Sequence, residues 1–177
     1  MRNNMIKIIA AVLFCLMTNT VIAQNENSTL IRLVAGLDEP EEFYCFDLEG
    51  WRDSLKLDNP IQAHTCKVRN AEDQLFYVEE DHIKLTEYDR CLAVSGSGST
   101  TLSGSSLLAR ECDESSPLQK ITLNEAGQVV ILDTDYCIVA SAESAKANGP
   151  SHLWRSLRVA NCDSVTKELS TWQLGLK

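Results

Sequence analysis

The residues of this chain whose type and spacing suggest chemistry most directly are its cysteines, of which there are seven in 177 residues. Cys45, Cys91 and Cys137 follow one another at intervals of 46 residues, and each is followed by a further cysteine 21 or 25 residues later. Because cysteines of exported proteins normally pair, this threefold spacing predicts three disulfides that each close a loop of about 20 residues and contribute about 3 kcal/mol. The predicted pairs are Cys45–Cys66, Cys91–Cys112 and Cys137–Cys162.

The amino terminus predicts that the chain is exported. A positively charged start precedes the uninterrupted apolar run 8–17, and the small residue Ala23 stands where a signal peptidase would cut. Residues 1–23 are therefore interpreted as a signal peptide, with cleavage near Ala23–Gln24 and a secreted destination, or a periplasmic one in a bacterium. The apolar run has ten residues, whereas a transmembrane helix needs about 20, so no membrane span is predicted.

Removal of this segment also explains why the number of cysteines is odd. Cys15 lies inside the predicted signal peptide, and its loss leaves an even set of six. The alternative interpretation is a lipoprotein signal with Cys15 as the acylated residue. The bulky Phe14 argues against it, because such signals carry a small residue at that position.

The charge balance argues against nucleic acid as a partner. Lys and Arg number 16 against 25 Asp and Glu, a net charge of −9. Residues 1–23 carry two positive charges and no negative ones, so the remaining chain has 14 against 25, or −11. Such a surface repels phosphate backbones, and it favours a ligand that is neutral or cationic.

The sequence contains no motif that predicts catalysis or a cofactor. It lacks a Gly-x-Ser-x-Gly elbow, a His-Glu-x-x-His pair and a phosphate-binding loop. Since all six remaining cysteines are assigned to disulfides, none is left to bind a metal. His82 and His152 are interpreted as surface or hydrogen-bonded structural residues. We therefore expect a protein that is not an enzyme and that holds no metal or cofactor.

The residues around the cysteines repeat with the same period. Leu85 and Ile131 each lie six residues before the first cysteine of their unit. Apolar and polar residues alternate after each first cysteine, as in half-buried strands. A large apolar residue follows each second cysteine by nine or ten positions, namely Phe76, Ile121 and Trp172. These coincidences predict an internal triplication.

The triplication predicts an all-β domain over residues 30–177, preceded by a polar leader at 24–29. The three repeats span about 30–78, 79–124 and 125–177, and each holds about four short strands. Units this short cannot bury their apolar faces alone, so we expect them to share one closed barrel with threefold pseudosymmetry. The three large apolar residues would then occupy equivalent positions in its core.

Three units of this form resemble the ricin-type lectin β-trefoil family, whose repeat carries a Gln-x-Trp segment. The corresponding segments here read Gln74-Leu75-Phe76, Gln119-Lys120-Ile121 and Ser170-Thr171-Trp172. The resemblance covers about residues 30–176 and implies a β-trefoil with a disulfide inside each repeat, in agreement with the spacing. It also implies a protein that binds galactose or N-acetylgalactosamine.

Only the first repeat carries the residues that this family uses to bind sugar. In the family an Asp accepts hydrogen bonds from sugar hydroxyls, amides bond to the same hydroxyls, and an aromatic ring packs on the pyranose. The matching positions, with a further ring from the next loop, are Asp47, Gln62, His64, Asp73, Gln74 and Trp51. His64 replaces a larger aromatic residue and Asp73 replaces Asn. Ala93 and Val139 stand at the Asp position of the other repeats, which are therefore interpreted as structural.

The resulting hypothesis is a secreted carbohydrate-binding protein with one galactose-type site, acting alone or as the cell-binding subunit of a secreted assembly or toxin. An assembly is considered because one such site binds only at about millimolar strength. Taken singly, Asp47 is also explained as a turn residue and Gln74 as a buried amide that bonds to the backbone. The alternative function is a trefoil that binds a protein, for example as a protease inhibitor, through loops 38–42 or 141–152.

Overall fold

The protein is described here by a computed structural model that covers residues 27–149 and 151–176. The predicted signal peptide at 1–23, its cleavage point at Ala23–Gln24 and the first residues of the polar leader lie outside the described residues. Within them the fold is all-β, with thirteen strands and a few short helical turns. No helix in the two described ranges is long and apolar enough to cross a membrane.

The strands follow the three predicted repeats. The first repeat contains β1 (Ile31–Leu33), β2 (Tyr44–Asp47), β3 (Gln62–Thr65) and β4 (Phe76–Glu79). The second contains β5 (His82–Leu85), β6 (Arg90–Val94), β7 (Leu107–Arg110) and β8 (Ile121–Leu123). The third contains β9 (Val129–Ile131), β10 (Tyr136–Ala140), β11 (Ala145–Lys146), β12 (Leu153–Asn161) and β13 (Trp172–Leu174). The helical elements are the 3-10 turns Arg52–Ser54, Glu72–Gln74, Pro117–Gln119 and Cys162–Ser164, and the helix α1 (Lys167–Ser170).

The pairing of these strands repeats three times. The last strand of each repeat pairs antiparallel with the first strand of the next, as β4 with β5, β8 with β9, and β13 with β1. The two inner strands of each repeat form a hairpin, as β2 with β3, β6 with β7, and β10 with β12. The chain therefore closes on itself as a β-trefoil, which confirms the predicted fold.

The core is built from equivalent positions of the three repeats. The three large apolar residues predicted for it are at most 1% exposed. Each faces an apolar residue on the first strand of a repeat, in the pairs Phe76 with Leu85, Ile121 with Ile131, and Trp172 with Leu33. The Phe46 ring packs edge-on against the rings of Trp172 and Phe76, with centroids 4.6 and 6.1 Å apart. These contacts join the first and third repeats in one core.

Two of the three predicted disulfides are present, Cys45–Cys66 and Cys91–Cys112. The third is not formed, and Cys137 and Cys162 are free thiols that lie close to each other. Strand register does not account for the difference. In every repeat the second cysteine lies two residues after the residue that pairs with the first cysteine across the hairpin. The local backbone does differ, because Cys162 begins a 3-10 turn whereas the second cysteines of the other repeats lie outside any helical turn.

The third repeat departs from the threefold pattern where it meets the first. Its cysteines are 25 residues apart instead of 21, and it contains the additional short strand β11 and a nine-residue β12. β12 pairs with β3 as well as with β10, and places Trp154 opposite His64 and Ser156 opposite Gln62. Residues of the first and third repeats therefore line one pocket together.

Candidate functional site

A pocket of about 870 Å³ lies between the first repeat and the β11–β12 hairpin of the third. Four of the six residues predicted to bind sugar line it, namely Asp47, Trp51, Gln62 and His64. Asp73 and Gln74 are 2% and 0% exposed and are not part of the pocket wall. The structure therefore divides the predicted set into residues that face the pocket and residues that support them.

Asp47 forms the floor of the pocket and is 1% exposed. It ends β2 directly opposite Gln62 in the hairpin, so the Gln62 amide donates to Oδ1 over 2.9 Å. The Gln74 amide donates to Oδ2 over 2.8 Å. Two amides from different segments thus fix the orientation of one carboxylate.

Gln74 supports the site from outside the pocket wall, because it is buried and hydrogen-bonds to Asp47. Its Oε1 accepts a hydrogen bond from the backbone N–H of Lys67, and its Nε2 also donates to the carbonyl of Thr65. Gln119 makes the same two backbone bonds in the second repeat, to Asp113 and Glu111, although that repeat has no carboxylate at the Asp47 position. The Gln of the repeat is therefore a buried amide that hydrogen-bonds to the backbone on both sides of the second cysteine. In the first repeat it also positions Asp47.

Lys67 is a residue of the site that the sequence analysis missed. Its Nζ lies 3.1 Å from Asp47 Oδ2 and also pairs closely with Asp73. Burial alone would lower the pKa of Lys67, but the two neighbouring carboxylates outweigh burial and raise it. Lys67 is therefore a fixed cation in the pocket wall.

Asp73 stands where the family has Asn, and the structure explains how the site accommodates it. Burial first, and then the neighbouring charge of Asp47, raise the pKa of Asp73 against the opposing effect of Lys67. A carboxylate cannot supply the N–H donors of an amide, whereas an ammonium group has three. Two N–H groups of Lys67 are directed at the carboxylates, which leaves one for a ligand.

His64 forms part of the wall together with a histidine that the sequence analysis did not assign to the site. His64 is 8% exposed, and its Nδ1 lies 2.9 Å from the carbonyl oxygen of Thr65. The ring of His152 meets it edge to face, with centroids 5.2 Å apart. His152 also lines the pocket, where the sequence did not place it.

Two tryptophans supply aromatic surface to the pocket. Trp51 is 44% exposed, and the Arg52 guanidinium lies 4.1 Å from the centroid of its ring. The turn before it requires glycine, because Gly50 has φ of +103° and a Cβ there would lie 2.3 Å from the Ser54 carbonyl oxygen. Trp154 also lines the pocket. The sequence alone does not predict it, because only the pairing of β12 with β3 brings it there.

A buried arginine holds the third-repeat side of the pocket in place. Arg155 is 4% exposed and donates to the carbonyls of Ser141 and Ala142 over 2.8 and 2.6 Å. It also pairs closely with Asp38, which accepts a 2.7 Å hydrogen bond from the Tyr44 hydroxyl. Asp38 belongs to loop 38–42 and connects the first repeat to the loop that precedes β11.

The fold and this pocket agree with the comparison to protein families. The model described as ricin-type beta-trefoil lectin domain matches residues 37–173, which is most of the chain. The chain belongs to this family, and its membership supports carbohydrate binding as the general class of activity. No curated protein matches the chain.

Solved structures of similar fold include lectin domains. The C-half of the earthworm R-type lectin, solved in complex with GalNAc, has a TM-score of 0.58 at 14% identity, over 84% of this chain and 98% of that one. A mutant of the earthworm lectin C-terminal domain in complex with 6'-sialyllactose has a TM-score of 0.55 at 12% identity, over 84% of this chain and 98% of that one. The β-trefoil lectin of the Vibrio vulnificus hemolysin/cytolysin with N-acetyl-D-lactosamine has a TM-score of 0.55 at 16% identity, over 85% and 95%. At these identities the similarity concerns the fold.

Proposed function

We propose that this protein binds carbohydrate in the pocket above Asp47, and that the sugar on the pocket floor is galactose or N-acetylgalactosamine. The observation that carries the proposal is the placement of one oriented carboxylate at the floor of a pocket that also contains aromatic rings. Carboxylates, amides and ring faces together suit a sugar, which offers hydroxyls on its edges and C–H groups on its faces.

The polar floor retains hydrogen-bonding capacity for a ligand. A carboxylate has about four acceptor positions. Gln62 uses one on Oδ1 of Asp47, and Gln74 and Lys67 use two on Oδ2. One acceptor position on Oδ1 and one N–H of Lys67 are left to bind two hydroxyls of one sugar.

The other repeats lack this floor at the equivalent strand positions. The pair that faces across the hairpin is Asp47 with Gln62 in the first repeat, Ala93 with Leu108 in the second and Val139 with Arg158 in the third. Neither of the latter pairs contains a carboxylate. Sugar binding is therefore proposed for the first repeat, with the second and third in a structural role.

Export and assembly are part of the same proposal. We propose that residues 1–23 direct the chain out of the cytoplasm and that the mature protein begins at Gln24. A single site of about millimolar affinity becomes effective when several copies are joined, which is consistent with a cell-binding subunit of a secreted assembly or toxin. Amino-terminal sequencing of the protein from the culture medium or periplasm tests the cleavage point.

A glycan array tests the sugar site. The wild-type protein should bind glycans with terminal galactose or N-acetylgalactosamine. Asp47→Asn removes the charged acceptor while keeping the side-chain size, and should weaken binding about tenfold or more, because hydrogen bonds to a charged group contribute about 1.5–3 kcal/mol.

Asp58→Asn is the matched control, because the Asp58 side chain is fully exposed and lies outside the pocket wall. Its binding should equal that of the wild type, and thermal melting of both variants establishes that they are folded. A wild-type protein that binds no sugar would overturn the proposal. Equal binding by Asp47→Asn and wild type would remove Asp47 from the site.

A further inference from the structure

The charges that line the pocket are separated into an acidic floor and a basic rim. We use floor for Asp47 and the residues bonded to it, and rim for Arg69 and Lys146, which are exposed and line the same pocket. The chain as a whole has a net charge of −9. Two exposed cations that line one pocket are therefore a local feature that the overall charge conceals.

The carboxylates in the pocket wall are already paired with cations of the protein. Asp47 is paired with Lys67. Glu49 pairs closely with Lys56 and also accepts a 2.7 Å hydrogen bond from the Asn59 amide. Among the described residues that line the pocket there is no further carboxylate, so none is left to neutralise the rim.

The two rim cations come from different repeats. Arg69 follows β3 in the first repeat, and Lys146 ends β11 in the third, where it faces Leu153 of β12. Neither side chain has an ion pair or hydrogen bond to another described residue. Both are free to meet an anionic group of a ligand that enters the pocket.

The pocket is large enough for more than the sugar on its floor. Its volume of about 870 Å³ lies in the upper part of the range of about 300–1,000 Å³ typical of small-molecule sites. A ligand with two or more sugar units can therefore place one ring above Asp47 and extend another towards the rim.

We propose that the ligand of this pocket is an acidic oligosaccharide, with a neutral galactose-type unit on the floor and a carboxylate or sulfate group that Arg69, Lys146 or both bind. This inference rests on the proposed sugar site and specifies its ligand class. The net charge of the chain favours a neutral ligand only at long range, because salt screens exposed charges beyond about 10 Å. Guanidinium and ammonium groups within contact distance act at short range and attract anionic groups.

Titration of one protein with three related sugars tests the inference. Lactose, 6'-sialyllactose and lactose 3'-sulfate share the galactose unit and differ in the anionic group. At low ionic strength we expect the wild-type protein to bind at least one acidic sugar about fivefold more tightly than lactose, since two exposed charge contacts contribute modestly. The two acidic sugars distinguish a carboxylate from a sulfate, and added salt should reduce the preference.

The double variant Arg69→Gln/Lys146→Gln should bring the ratio of affinities for acidic and neutral sugars to about one. The control is Arg90→Gln/Lys167→Gln, which removes the same charge outside the pocket wall and should keep the wild-type ratio. If lactose binds as tightly as both acidic sugars, or if the rim variant keeps the preference, the inference is wrong and the proposed function stands. If none of the three sugars binds, both are wrong.

Discussion

At the scale of single residues, the site depends on the contact between Lys67 and two carboxylates. Asp73 brings a second negative charge to a position where the family has an amide, and Lys67 neutralises it. The exposed fraction of the Lys67 side chain is 18%, while those of Asp47 and Asp73 are 2% and 1%. A group of charges this far removed from water is stable only as a complete set.

Lys67→Met should therefore destabilise the protein at neutral pH by about 3 kcal/mol, because it leaves two buried carboxylates without their cation. The loss should shrink as the pH is lowered. The pKa of Asp73 is already raised in the folded protein and would rise further without Lys67, so the folded variant takes up a proton before the unfolded chain does. Urea unfolding of wild type and variant across acid pH measures the difference.

Lys167→Met is the control for this experiment, because it removes an exposed lysine that lies outside the site. Its effect on the free energy of unfolding should be within about 0.5 kcal/mol at every pH. A loss for Lys67→Met that stays constant as the pH falls would contradict the assignment of buried, ionised carboxylates.

At the scale of elements, the pocket depends on how the β11–β12 hairpin is held against the first repeat. Arg155 connects the loop before β11 to Asp38, and its guanidinium lies 4.8 Å from the centroid of the Tyr44 ring. Partial burial would raise the pKa of Asp38, but hydrogen bonds from Ser144, Tyr44 and Arg155 outweigh it and lower the pKa. Burial first, and then the hydrogen bond to Asp38, raise the pKa of Tyr44 to about 12 against the opposing effect of Arg155.

Asp38→Asn should loosen this hairpin and weaken sugar binding without unfolding the barrel. In the wild type, a carboxyl pKa below its unfolded value stabilises the folded state above the unfolded pKa, and this stabilisation is lost as the pH falls through the folded pKa. Hydrogen exchange of the backbone amides of residues 141–149 measures the loosening, which should appear at neutral pH. Glu39→Gln is the control, and equal exchange in both variants would contradict this role of Asp38.

The sequence could predict site residues that lie within one repeat, but not those that another repeat contributes. Asp47 and Gln62 were predicted because they match the family's sugar-binding positions relative to Cys45 and Cys66. The structure places them opposite each other in one hairpin. Trp154 and His152 were not, because they reach the pocket only through the pairing of β12 with β3. Periodicity within a repeat carries no information about such contacts between repeats.

At the scale of the whole molecule, three short repeats share one core. The closed barrel of three repeats could be predicted, because the same apolar offsets recur from each cysteine pair. The free thiols of Cys137 and Cys162 could not, because the register of this pair is the same as that of the two pairs that are bonded. The shared core implies that the repeats unfold together.

Trp172→Ala should destabilise the whole barrel by about 3–5 kcal/mol. The residue is 1% exposed, packs on Phe46 of the first repeat, and donates its indole N–H to the carbonyl of Ile138 over 3.0 Å. Denaturant unfolding should still show a single transition. Leu176→Ala, at a position 44% exposed, serves as the control, and separate transitions for the repeats would contradict a shared core.

The central claim is that sugar binds above Asp47 at the contact between the first and third repeats. An NMR titration of the isotope-labelled protein with lactose tests it most directly. Shifts should concentrate on Gln62, His64 and the indole N–H of Trp154, while amides at the equivalent positions Ala93 and Val139 stay unchanged. Shifts centred on the second repeat, or no shifts with any of the three sugars named above, would contradict the account.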